Sequence, residues 1–118
     1  MQTATAASEA SGAEKVRPLF EESAKQHASY ERYLVQVYEH LGESYQLQGH
    51  IFEQALDYSK AAESYTKSLD FYGQCIDRGA HSPDLIVQND IVGKYCQPNS
   101  EATKKSLDNV NQILSGGS

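Results

Sequence analysis

Apolar and aromatic side chains recur twice in every seven residues between positions 16 and 76, and this constrains the fold more than any other feature. Steps of four and three from Val16 meet Phe20, Ser23, His27, Tyr30, Leu34, Val37 and Leu41. After a polar break at Ser44 and Gln48 the same frame resumes, with Ile51, Ala55, Tyr58, Ala62, Tyr65, Leu69, Tyr72 and Ile76. Outside the break, all but Ser23 and His27 are apolar or aromatic. Such spacing sets one stripe along a helix, and no strand-like alternation persists anywhere. Leu19, Ala24, Tyr33 and Tyr38 widen the first stripe, and Phe52, Ala61 and Phe71 the second. Stripes this broad pack on more than one neighbour, as in a bundle.

Local signals place the boundaries. Pro18 suits a first helical turn. Gly42 and Gly49 bracket the weak stretch and suggest a reversal there. Gly79 suits the position just past a helix end, and Ser82-Pro83-Asp84 reads as a helix start. Pro98 reads as a break, with Asn99 or Ser100 capping a last helix. The spacing predicts helices near 14–41, 50–78, 83–96 and 100–114. The expected fold is all-α: an antiparallel helical bundle with two long and two shorter helices. The frame does not slip across 42–49, so one continuous rod over 14–78 is the alternative. Its length of about 100 Å would need a second copy of the chain to cover the stripe.

The chain has 118 residues, enough for one domain. Residues 1–13 are rich in Ala, Ser and Thr and read as a disordered leader; 14–114 form the domain; 115–118 read as a flexible tail. The net charge of −6 disfavours nucleic acid as a partner. No apolar run is long enough to span a membrane. Cys75 and Cys96 are too few for a disulfide-stapled secreted scaffold. They read as reduced, buried thiols in an intracellular, cytoplasmic protein.

Gly49, Phe52, Asp57-Tyr58, Ala61, Tyr65 and Ser68-Leu69 follow the small-aromatic spacing of a helical hairpin, and this stretch resembles the tetratricopeptide family. The string from Tyr58 to Leu69 is also similar to the second helix of the microtubule-interacting-and-transport (MIT) family, a three-helix bundle. The resemblance covers residues 49–69. Leu56 stands where a tetratricopeptide hairpin usually has Gly, and Gly73 where it has its closing Pro. The tetratricopeptide likeness implies a turn near Leu56-Asp57 and a groove that binds a partner's helix or extended peptide.

Little points to chemistry. His27, His40, His50 and His81 include no His-x-x-x-His or Glu-x-x-His pair, so no metal site is expected. No nucleophile elbow, phosphate loop or paired-carboxylate motif occurs. Glu21-Glu22, Glu39 and Glu43 read as solvated faces. The expectation is a protein that is not an enzyme and takes no cofactor.

Tyr58, Tyr65 and Tyr72 repeat every seven residues. They read either as a core stripe with hydroxyls at the bundle edge or as a partly open aromatic groove. The functional expectation follows the second reading: an adaptor or scaffold domain that binds another protein's helical or extended segment. Its binding residues would be Tyr58, Tyr65, Tyr72 and Phe52, with Glu53, Asp57, Glu63 and Asp70 favouring a basic partner. The alternative is a homo-oligomerisation module, so the chain is expected to be a monomer or a homodimer.

Overall fold

The stripe is carried by helices, and its one reversal falls outside the glycine-bracketed stretch. The structure is a computed structural model that describes residues 15, 17–18 and 29–116. The leader at 1–13, the stripe positions Val16, Phe20, Ser23 and His27, and Gly117-Ser118 lie outside the described residues. Helix α1 is Ser29–Gln54, α2 is Tyr58–Ala80, a π-helical segment spans Val87–Cys96, and α3 is Gln97–Leu114. No strand occurs among the described residues.

The expected turn at 42–49 is a helical part of α1, and the continuous rod over 14–78 is likewise excluded. The chain turns at Ala55-Leu56-Asp57, where the tetratricopeptide resemblance places it. Leu56 takes a left-handed backbone with φ 63°. Its N–H donates to the Glu53 carbonyl at 3.0 Å, and the Asp57 N–H donates to the Phe52 carbonyl at 2.9 Å. This is the paired closure of a Schellman motif, with leucine where glycine is usual. Asp57 then caps α2 by accepting from the Lys60 N–H at 3.3 Å.

Gly42 and Gly49 serve packing. A Cβ on either would lie closer than 3.0 Å to ring atoms of Tyr72 and Tyr65, respectively. The seven-residue spacing of the two glycines thus matches that of the two tyrosines on the antiparallel helix. Ser68 Oγ donates to the Gly42 carbonyl at 2.6 Å, so the backbones approach closely here. Leu34, Leu41, Tyr65 and Tyr72 are fully buried.

Helix α2 is the middle layer. Leu34, Val35, Leu41, Phe71 and Tyr72 form the main core with Val87, Ile91 and Val92 of the π-helical segment. A smaller cluster joins Ala61 and Tyr65 to Val110 of α3. The ends of α1 and α2 are tied by Arg78 to Glu31 at 3.0 Å. Arg32 pairs with Asp84 at 2.7 Å. Asp84 also accepts from the Ile86 N–H at 2.9 Å and so starts the third helical stretch.

Three further expectations are corrected. Cys75 and Cys96 are buried as expected, but they form a disulfide, with Cα atoms 6.4 Å apart. Their separation of 21 residues spans the reversal after α2, and it is the antiparallel return of the chain that makes them neighbours. Pro98 does not break the chain. Helical structure runs unbroken from Leu85 to Leu114, and Pro98 sits in the first turn of α3. A proline ring collides with the carbonyl four residues back in an α-helix. Upstream of Pro98 the N–H groups reach one residue further, as Gln97 N–H does to the Val92 carbonyl, which removes that requirement. Gly79, expected just past a helix end, lies inside α2, where a Cβ would collide with Val92.

Candidate interaction cleft

Helices α1 and α3 both pack on α2 and scarcely meet each other, which leaves a cleft between them. Along α1 it is lined by Gln36, Glu39, His40, Glu43, Leu47 and His50, a helical face beside the buried stripe. The opposite wall is Ile91 and Tyr95 of the π-helical segment, with Asn99 of α3. One part of the cleft encloses about 610 Å³ and the other, against Ile91 and Tyr95, about 290 Å³. π-Helical turns are rare and concentrate at functional sites. Here the π geometry forms the wall itself.

The chemistry of the cleft centres on Glu39, which is 6% exposed. It is the one carboxylate of the described residues with so little access to water, whereas the sequence suggests a solvated face. His40 Nδ1 lies 3.2 Å from Glu39 Oε2 and 3.7 Å from Glu43 Oε2. Burial pushes the Glu39 carboxyl up to about 7, and its hydrogen bond with Glu43 adds to the effect. The His40 ring beside it holds Glu43 below the usual carboxylate range. A raised Glu39 beside a lowered Glu43 favours a proton held on Glu39 rather than on Glu43. The three side chains have donor atoms within 4.8 Å of one another. All three come from little more than one turn of α1.

The residues expected to bind a partner are distributed differently. Tyr65 and Tyr72 are fully buried between α1 and α2. Tyr72 donates to Gln46 Oε1 at 2.6 Å. Tyr65 donates to Glu53 Oε1 at 2.7 Å and receives a hydrogen bond from His50 Nδ1 at 2.7 Å. A hydroxyl has one proton, so this arrangement requires the Nδ1–H form of His50. These tyrosines match the core-stripe reading and present no open aromatic face. Phe52 and Tyr58 are half-buried against the Ala61–Tyr65–Val110 cluster, with Lys60 5.7 Å from the Phe52 ring centroid. Glu53 serves Tyr65, Asp57 caps α2, and Asp70 accepts from Gln74 at 2.9 Å. Glu63 is exposed and borders a small cleft with Gln48 and Lys67.

Sequence reasoning missed Glu39, His40, Glu43, Ile91 and Tyr95 as a group. One signal was present: two glutamates four apart flanking a histidine, beside a buried stripe. The opposing wall carried none, because no pattern announces a π-helix. No family model, curated protein or solved structure matches the chain. The turn at Leu56-Asp57 and the Gly49–Tyr65 contact both fall in the stretch that carries the tetratricopeptide and MIT resemblance.

Proposed function

We propose that this chain is a non-catalytic interaction domain that receives a basic helical or extended segment of another protein in the cleft between α1 and the π-helical segment. The observation that carries this reading is the pairing of acidic Glu43, beside the buried carboxyl of Glu39, with exposed apolar groups. Leu47 is 44% and Tyr95 49% exposed. A segment with apolar residues on one side and Lys or Arg on the other complements such a lining, the charges mainly raising the rate of encounter. Phosphate backbones are repelled by the same wall. This moves the expected groove from the tyrosine stripe, whose rings are already enclosed, to the next face of α1. The intracellular expectation rested on free thiols. A buried disulfide fits an oxidising compartment better.

Selection of random peptides on the immobilised chain tests the proposal. Enriched sequences should combine Lys or Arg with apolar residues, and their binding should fall at least tenfold for Glu43→Lys and for Tyr95→Ala. Peptides that bind both variants as well as the parent place the site elsewhere. A mass of twice 13.1 kDa in light scattering favours the second reading, a homodimer.

A further inference from the structure

We propose that Glu39, held by Glu43 and His40, is a proton-operated latch on the cleft, shut while the Glu39 carboxyl keeps its proton and opened when that proton leaves. Regulation of partner entry by this latch rests on the interaction reading; the latch itself does not.

The argument begins with what surrounds the carboxyl. On α1 its neighbours are His40 and Glu43, with neutral Gln36 one turn away. From α2 comes Tyr72, whose hydroxyl is pushed up first by burial and then by the nearby Glu43 and Glu39. From the π-helical segment come Tyr95 and Ile91, and from α3 neutral Asn99. Lys94 of the π-helical segment pairs with Asp90 at 3.3 Å. Among the described residues no lysine or arginine lines either part of the cleft. A second negative charge at this position thus has only His40 to balance it.

An ionised carboxylate needs water or a cation. The 290 Å³ hollow bounded by Ile91 and Tyr95 borders Glu39, yet the carboxyl is only 6% exposed, so water reaches it only when this wall gives. On the α2 side the π-helical segment is fixed by the Cys75–Cys96 disulfide and by Val92 seated on Gly79. The give therefore falls on the cleft side, at the Tyr95 ring and Ile91. Opening exposes Ile91, which is 6% exposed, beside the already exposed Tyr95, and adds a negative charge together, the two properties a basic segment uses.

The test is a pH titration of the full chain by nuclear magnetic resonance, following the Glu39 side-chain carboxyl carbon, the Ile91 methyls and the Tyr95 ring, with no partner present. The expected result is a Glu39 midpoint of about 7, with the Ile91 and Tyr95 signals moving at the same midpoint. Glu39→Gln should abolish that movement. His40→Gln should raise the midpoint, because it removes the favourable charge of His40, and Glu43→Gln should lower it. A Glu39 midpoint near 4.5 overturns the latch. So do static Ile91 and Tyr95 signals, or a transition that survives Glu39→Gln. These readouts involve no peptide, so a failed peptide selection leaves the latch standing and a failed titration leaves the interaction reading standing.

Discussion

The ring of Tyr72 occupies the space that a Cβ on Gly42 would need, with three ring atoms closer than 3.0 Å to that point. Glycine in mid-helix costs about 1 kcal/mol relative to alanine, so exposed helical glycines are ordinarily improved by Gly→Ala. Here the ring is fully buried and tethered to Gln46, so it has little room to withdraw. Gly42→Ala is expected to destabilise the fold by about 1–3 kcal/mol, the usual range for overpacking. Gly73→Ala is the control. Its Cβ meets nothing within 4 Å, and it should gain up to about 1 kcal/mol. Chemical denaturation of both variants checks the contrast; two gains would mean that the ring moves freely.

Leu56 holds a left-handed backbone at 70% exposure, so its side chain returns little packing for the strain. The left-handed conformation costs a non-glycine residue about 1–2 kcal/mol. Leu56→Gly should therefore stabilise the chain by about 0.5–1 kcal/mol, after the larger unfolded-state entropy of glycine is deducted. A rise in the denaturation midpoint at unchanged slope is the expected reading. A fall would show that Leu56 contributes packing outside its own turn.

The all-α bundle was legible because the heptad frame through Leu34, Leu41, Tyr65 and Tyr72 repeats a physical requirement, burial on one helical face. The reversal was misplaced at 42–49 because a glycine reads alike whether it ends a helix or receives a ring. Only the partner helix distinguishes the two, and the tyrosine spacing on α2 held that information unused. The turn at Leu56 carried the opposite signal, a leucine where glycine is usual. The disulfide was illegible for a related reason. Pairing of Cys75 and Cys96 depends on where the chain comes back, and two cysteines carry no framework of their own. The cleft escaped notice because Glu39 looks solvated until the π-helical wall closes over it.

The Cys75–Cys96 bond closes a loop of 21 residues that contains the end of α2 and nearly all of the π-helical segment. Loop-closure entropy for that length is about 3 kcal/mol. Both sulfurs are fully buried, so a reductant must wait for partial unfolding. The oxidised chain should resist mild reductant when folded and lose the bond in denaturant. The Cys75→Ala/Cys96→Ala double variant should be less stable by about 2–4 kcal/mol. Intact mass measured before and after each treatment follows the bond. Rapid reduction of the folded chain would contradict this burial.

The buried carboxyl of Glu39 also fixes a sign for the dependence of stability on pH. Its pKa is raised from 4.5 to about 7, so between these values the folded chain holds a proton that the unfolded chain has released. Stability must then fall as pH rises through that window, because the unfolded state binds fewer protons there. The size is on the order of 3 kcal/mol at full ionisation. Glu43 and Asp84 are lowered instead, and their contributions are lost towards acid, so the raw curve mixes both signs. Comparison with Glu39→Gln isolates the term. The amide still donates to Glu43 but cannot ionise, so this variant should equal the parent near pH 4.5 and exceed it above about 7. Urea denaturation of both chains across the window measures the difference, and parallel curves would mean that Glu39 is solvated when charged.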